Sequence, residues 1–166
     1  MDTRGIDWRI VVRPILHPDA ARLVAEVQLE YTALYGTPDE TPLGADYFEP
    51  PGGAFFVGYL HDEPVATGAW RLRSDVEALG SSSTAEIKRM YVVPAGRRRG
   101  LAREMLAHLE ETAAAAGAEV MILESGSEQP HALALYADAG YEPIPGYGFY
   151  RDSPLNRCMA RPLVSS

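Results

Sequence analysis

From Glu86 the chain reads EIKRMYVVP, then AGRRRGLA, then REMLAHLEETAAAAG. No other stretch restricts the fold as tightly. The first segment is rich in β-branched and aromatic residues with charges interleaved, which predicts a strand. Pro94 has no N–H to donate and ends that strand's pairing. The last segment repeats Leu101, Met105, Leu109 and Ala113 four apart, with Ala102 and Leu106 on the same face, which predicts a helix stopped at Gly117. Strand, tight basic loop and helix together aim the free amides of a helix start beyond the strand end. Those amides, the positive end of the helix dipole and the adjacent Arg97, Arg98 and Arg99 make an anion site, most naturally for phosphate. The pattern is Arg97-x-x-Gly100-x-Ala102; neither G-x-x-x-x-G-K-[ST] nor G-x-G-x-x-G is present.

The flanking sequence is punctuated just as clearly. Residues 7–13 predict a short strand ended by Pro14. Pro18 opens a helix carrying Ala20, Leu23, Val24, Val27, Tyr31 and Leu34, which stops at Gly36. Residues 37–53 are crowded with acids, prolines and glycines and predict a long loop, of the kind that is often functional. Residues 54–60 and 64–73 predict a hairpin across His-Asp-Glu-Pro. Residues 74–83 predict a polar loop with a weak helical hint at 76–79. A buried-type strand follows at 119–124, a short helix at 131–139 stopped by Gly140, and a last strand pair at 141–144 and 156–163. Strand–helix alternation of this kind predicts an α/β or α+β fold.

Length and charge exclude several functions. At 166 residues the chain is expected to form a single domain, residues 1–166. A net charge of −8 argues against nucleic acid or an anionic membrane as the main partner. The one cysteine, Cys158, excludes an internal disulfide and a multi-Cys metal site, and its expected place is a buried strand position. The polar N-terminus lacks a signal-peptide pattern, no apolar run approaches membrane-spanning length, and a reduced, cytoplasmic location is expected.

Two blocks carry a family resemblance. The Arg97–Ala102 loop resembles the [Q/R]-x-x-G-x-[G/A] loop of the GCN5-related N-acetyltransferases. The block from Gln129 through Ala132, Leu135 and Tyr136 to Gly140-Tyr141 is similar to that family's N-x-x-A-x-x-L-Y-x-x-x-G-F, with Gln in place of Asn. The resemblance implies a mixed, mostly antiparallel twisted sheet, splayed at its central strands and flanked by helices. It implies acetyl-CoA as acyl donor, no metal, and a primary amine of a small molecule or peptide as acceptor. The protein would be a monomer or homodimer. A non-catalytic acyl-CoA sensor and a protein lysine or N-terminal acetyltransferase are the rival functions.

By the same resemblance, amides of residues 97–103 (Arg97, Arg98, Arg99, Gly100, Leu101, Ala102, Arg103) would face the pyrophosphate. Gln129 would contact the pantetheine arm. A backbone N–H among Met90, Tyr91 and Val92, at a strand bulge, would polarise the thioester carbonyl. Tyr136 would protonate the leaving thiolate, and otherwise is a core tyrosine. Glu86 is the expected general base, and otherwise is a surface carboxylate paired with Lys88 or Arg89. Glu124, His131 and the acids of residues 39–49 are the alternatives. Tyr35, Tyr47, Phe48, Tyr147, Tyr150 and Ser153 are acceptor-pocket candidates.

Overall fold

A computed structural model of the chain describes residues 7–41 and 44–163. In chain order the elements are β1 (Trp8–Val12), α1 (Pro18–Tyr35), β2 (Gly53–Leu60), β3 (Glu63–Leu72), β4 (Thr84–Val92), α2 (Leu101–Ala115), β5 (Val120–Gly126), α3 (Pro130–Asp138), β6 (Glu142–Ile144) and β7 (Asn156–Pro162). The sheet order is β1-β2-β3-β4-β5-β7-β6. Every neighbouring pair is antiparallel except β4 and β5.

The helices cover opposite faces. Ala20, Leu23 and Val27 of α1 pack with Phe55, Val57 and Tyr59 of β2. Leu101, Met105, Leu106, Leu109 and Ala113 of α2 pack on the other face with Phe56, Trp70, Ile87 and Leu123. Each such buried aliphatic side chain contributes roughly 1.5–3 kcal/mol by leaving water. Ala102 is only half-buried, because it borders a cleft rather than the core. The predicted stops hold: Gly36 (φ 83°), Gly117 (φ 102°) and Gly140 (φ 97°) follow the three helices in the left-handed region. The β2–β3 turn, His61-Asp62, has φ of 52° and 65° at its two central residues, the mirror-type turn whose twist suits a hairpin.

Two expectations change. The helical hint at 76–79 is not realised. Val76 and Ala78 are both buried against Val120, Ile122 and Ala160, a spacing of two that belongs to extended chain. Ala78 bridges Ser81 around Leu79 and Gly80 instead. The last strand pair forms, but β7 enters between β5 and β6, so β6 becomes the sheet edge.

The centre of the sheet divides. β4 and β5 pair only from Thr84–Val120 to Ile87–Leu123, and then part. Just beyond, β4 bulges against β3. Thr67 faces Tyr91 and Ala69 faces Lys88, so Gly68 stands opposite both Arg89 and Met90. Arg89 sits at φ 55°, and its carbonyl accepts the Thr67 hydroxyl at 2.6 Å.

Candidate active site

A cleft of about 650 Å³ opens where the strands part. Met90, Tyr91 and Val92 form one wall, Gln129 and Tyr136 the other, and Arg97, Arg98, Gly100, Leu101, Ala102 and Arg103 close its end. Of the expected donor-binding residues, Arg99 is exposed and does not border the cleft.

The end of the cleft is made by backbone. Gly100 precedes α2 at φ 78° and no side chain caps the helix. The first helical bond runs from the Glu104 N–H to the Gly100 carbonyl at 3.1 Å. The amides of Leu101, Ala102 and Arg103 therefore precede the helical ladder and are available to an anion. Arg97 anchors this loop. Its Nε donates to the Val92 carbonyl at 3.0 Å and its Nη2 to Glu30 of α1 at 2.9 Å. The exposed Arg103 approaches Asp138 only at 3.9 Å, a weak surface pair.

A second cavity, of about 270 Å³, lies beside the first and shares Tyr31 and Gln129 with it. Gln129 Oε1 accepts the Tyr35 hydroxyl at 3.3 Å, which ties α1 to the start of α3. Burial, with Asp39 nearby, pushes the Tyr31 phenol up to about 12. Tyr136 is 7% exposed, stands edge-on to Tyr141 at 5.7 Å, and is pushed well above the ordinary phenol range by burial and by Tyr31.

Three carboxylates lie near the divergence, in three different environments. Glu86, the expected base, is 1% exposed and borders neither cavity. Its Oε1 accepts Arg71 Nε at 3.2 Å and Arg73 Nη1 at 2.8 Å, and its Oε2 accepts the Tyr147 hydroxyl at 2.9 Å. Two guanidinium groups and the Tyr147 hydroxyl therefore occupy its oxygens. It is not the surface partner of Lys88 or Arg89. Those two residues reach Asp39 instead, at 3.6 and 2.8 Å.

Asp39 Oδ1 also accepts from the Thr41 hydroxyl at 2.7 Å and the Tyr150 hydroxyl at 3.1 Å. Burial alone would raise its pKa; Lys88, Thr41 and Arg89 outweigh it and bring it down to about 2. Glu124 is the opposite case. Burial raises its carboxyl, Lys88 offsets part of the rise, and Glu86 adds to it. Oε2 accepts Asn156 Nδ2 at 3.1 Å, while Oε1 is buried without a hydrogen-bond partner. Gly148 lies directly over this carboxyl group, where a Cβ would collide with it.

The acceptor-pocket candidates divide evenly. Tyr35, Tyr150 and Ser153 border the smaller cavity. Tyr47 stacks under Arg71 at 4.6 Å, Phe48 packs edge-on to Phe55, and Tyr147 is engaged by Glu86. His131 is exposed on the larger cleft, away from the smaller one. Cys158 is buried, as expected, and pairs across β5–β7 with Glu124. Sequence reasoning missed Tyr31, which looks like one more residue of a helix stripe, and Lys88, which looks like a partner for Glu86.

The sequence model of the acetyltransferase (GNAT) family matches residues 20–141. The chain belongs to the GNAT family. The chain is 37% identical over 78 residues to the IAA acetyltransferase of Azospirillum brasilense, a match covering 47% of this chain and 51% of that protein, about half of each. It is 32% identical to the uncharacterised N-acetyltransferase YjgM of Escherichia coli over 77% of both chains. A Klebsiella pneumoniae structure provisionally described as an acyl-CoA N-acyltransferase superposes with a TM-score of 0.76 at 25% identity, covering 95% of this chain and 98% of that one. The divided sheet, with helices on both faces, is thus the GNAT fold. Among the described residues there is no group of three His, Cys, Asp or Glu side chains able to hold a metal, and no helix long and apolar enough to cross a membrane.

Proposed function

We propose that this GNAT acetyltransferase transfers the acetyl group of acetyl-CoA to a primary amine of a small molecule or peptide, by direct attack in a ternary complex. One observation carries the reading. A long cleft ending in free helix-start amides meets a small pocket at Tyr31 and Gln129, with Tyr136 lining the cleft and Glu124 the pocket.

In this reading the pyrophosphate lies on the amides of Leu101, Ala102 and Arg103, with Arg97 holding the loop in place. The thioester carbonyl faces a backbone N–H of Met90 or Tyr91, freed by the Arg89 bulge; one such donor contributes about 10²–10³ in rate. The amine reaches the carbonyl from the smaller pocket after giving its proton to Glu124. The new C–N bond forms as the C–S bond breaks, the leaving thiolate takes the Tyr136 proton, and the proton that the acylated nitrogen then sheds restores the Tyr136 phenol. Glu124 replaces Glu86 as base because its Oε1 is unpartnered, it lines the smaller pocket, and burial raises its pKa. Asp39 pins residues 37–41 over the pocket, which supports a small acceptor rather than a protein tail.

The direct test is titration calorimetry with acetyl-CoA and with coenzyme A, followed by thiol-release assays on an amine panel. Micromolar binding with amine-dependent thiol release is the expected result. Failure of both thiols to bind would overturn it.

A further inference from the structure

We infer that the acceptor carries a carboxylate as well as its amine: an α-amino acid, or another small amino carboxylate, held between Lys88 and Glu124. The inference rests on the acetyl-transfer reading above and goes further by naming the acceptor's chemistry.

The argument starts from the register. Ile87 and Leu123 are the last paired residues of β4 and β5, so the next residue on each strand is Lys88 and Glu124. Glu86 pairs with Ile122, and the alternation of strand side chains then sends Lys88 and Glu124 to the same face, side by side at the point of divergence. Both line the smaller cavity. No ion pair joins them among the described residues.

Each charge is left short of partners. Lys88 is 7% exposed, yet its ammonium lies 3.6 Å from Asp39 Oδ2, beyond a good hydrogen bond. Asp39 is already satisfied by Arg89, Thr41 and Tyr150. Glu124 Oε2 accepts Asn156 Nδ2 at 3.1 Å, with Cys158 Sγ at 4.0 Å, while Oε1 is buried without a hydrogen-bond partner. Buried charges in this condition are costly unless a partner arrives. A zwitterion supplies both at once, its carboxylate to Lys88 and its ammonium to Glu124. The ammonium is thereby delivered to the group that deprotonates it.

Size agrees. About 270 Å³ lies below the usual range of roughly 300–1,000 Å³ for drug-sized ligands, which fits a molecule of amino-acid dimensions. Tyr35, Pro38 and Leu155 offer an apolar wall for its side chain. An amine without the carboxylate leaves Lys88 with the 3.6 Å Asp39 pair it already has. A hydrogen bond to a charged group contributes enough for a preference on the order of 10- to 100-fold.

The test measures thiol release from acetyl-CoA with matched acceptor sets, such as leucine, leucinamide and isoamylamine, or phenylalanine, its amide and phenethylamine. The free acids are expected to exceed both analogues in kcat/KM by that factor. Lys88→Met should erase the difference, mainly by raising KM for the acids, while acetyl-CoA affinity measured by calorimetry stays unchanged. Equal or better turnover of the amides or amines overturns the inference. So does a Lys88→Met variant that lowers all three acceptors alike. If that variant does not fold, the wild-type comparison decides the matter alone. Acetyl-CoA binding without any preference for acids removes this inference and leaves acetyl transfer standing; absence of acetyl-CoA binding removes both.

Discussion

Glu124 and Asp39 border the same cavity and differ in what each can accept. Asp39 collects two cations and two hydroxyls and stays ionised; Glu124 has one amide donor and a roof of glycine. With Glu124 as base, its raised pKa has a definite consequence for pH. The reactive form is the carboxylate, so kcat/KM should fall as pH drops through a pKa above the ordinary carboxylate range. Glu124→Gln should remove that limb and lower kcat by about 10²- to 10⁴-fold. A full-rate Glu124→Gln enzyme would exclude Glu124 as the base. Gly148→Ala places a methyl group on the same carboxyl and should cost about 1–3 kcal/mol of stability, read from the denaturation midpoint, together with a loss of turnover. Tyr136→Phe should lower kcat with acetyl-CoA affinity held; an unaltered kcat would leave Tyr136 as a packing residue beside Tyr141.

Among the elements, α2 and the loop before it do the most with local backbone. Gly100 at φ 78° is a position where an L side chain costs roughly 1–2 kcal/mol, and the first-turn amides follow it directly. Gly100→Glu adds a negative charge at the proposed anion site. It should abolish coenzyme A binding in calorimetry while circular dichroism keeps its helical signal. The segment after α1 is held differently. The Glu40 N–H donates to the Tyr150 hydroxyl at 2.7 Å and the Thr41 N–H to Asp39 Oδ1 at 3.0 Å. Asp39→Asn should therefore speed hydrogen exchange at Glu40 and Thr41; unchanged exchange would mean that Tyr150 and Gln28, whose side-chain amide bonds the residue 39 N–H and carbonyl, suffice to hold the segment. Because the Asp39 pKa is lowered, its contribution to stability is present above the ordinary carboxylate range and is lost only as pH falls toward about 2. The segment should stay pinned throughout the range of assay pH.

For the molecule as a whole, local pattern was the legible part and strand partnership was not. The α2 stripe, the Pro94 stop, the stops after each helix and the basic loop can all be read directly, because 3.6-residue periodicity, proline and glycine act within a few residues. One end of the larger cleft is legible in the same way, since β4, the basic loop and α2 are contiguous in sequence; α1, and α3 with the residues just before it, supply the rest of its lining. The smaller pocket is not. It assembles residues from α1, residues 37–39, β4, β5, the start of α3 and residues 150–156, and nothing local in the sequence says that Lys88 and Glu124 are neighbours. The partners of Glu86 are hidden for the same reason: Arg71, Arg73 and Tyr147, rather than Lys88 or Arg89, arrive through a hairpin and a C-terminal loop.

The extra residue at Arg89 also changes the frame in which β4 is read. Ala85 and Ile87 face α2, and so do Met90 and Val92; on the reverse side Tyr91 and Val93 join the α1 cluster. Odd positions look toward α2 before the bulge and even positions after it. A strand without that insertion would send Tyr91 and Val92 to the wrong layers. Deleting a single residue there would act in space as a frameshift acts in a gene: everything upstream keeps its meaning and everything downstream, including the anion loop, is presented from the opposite side.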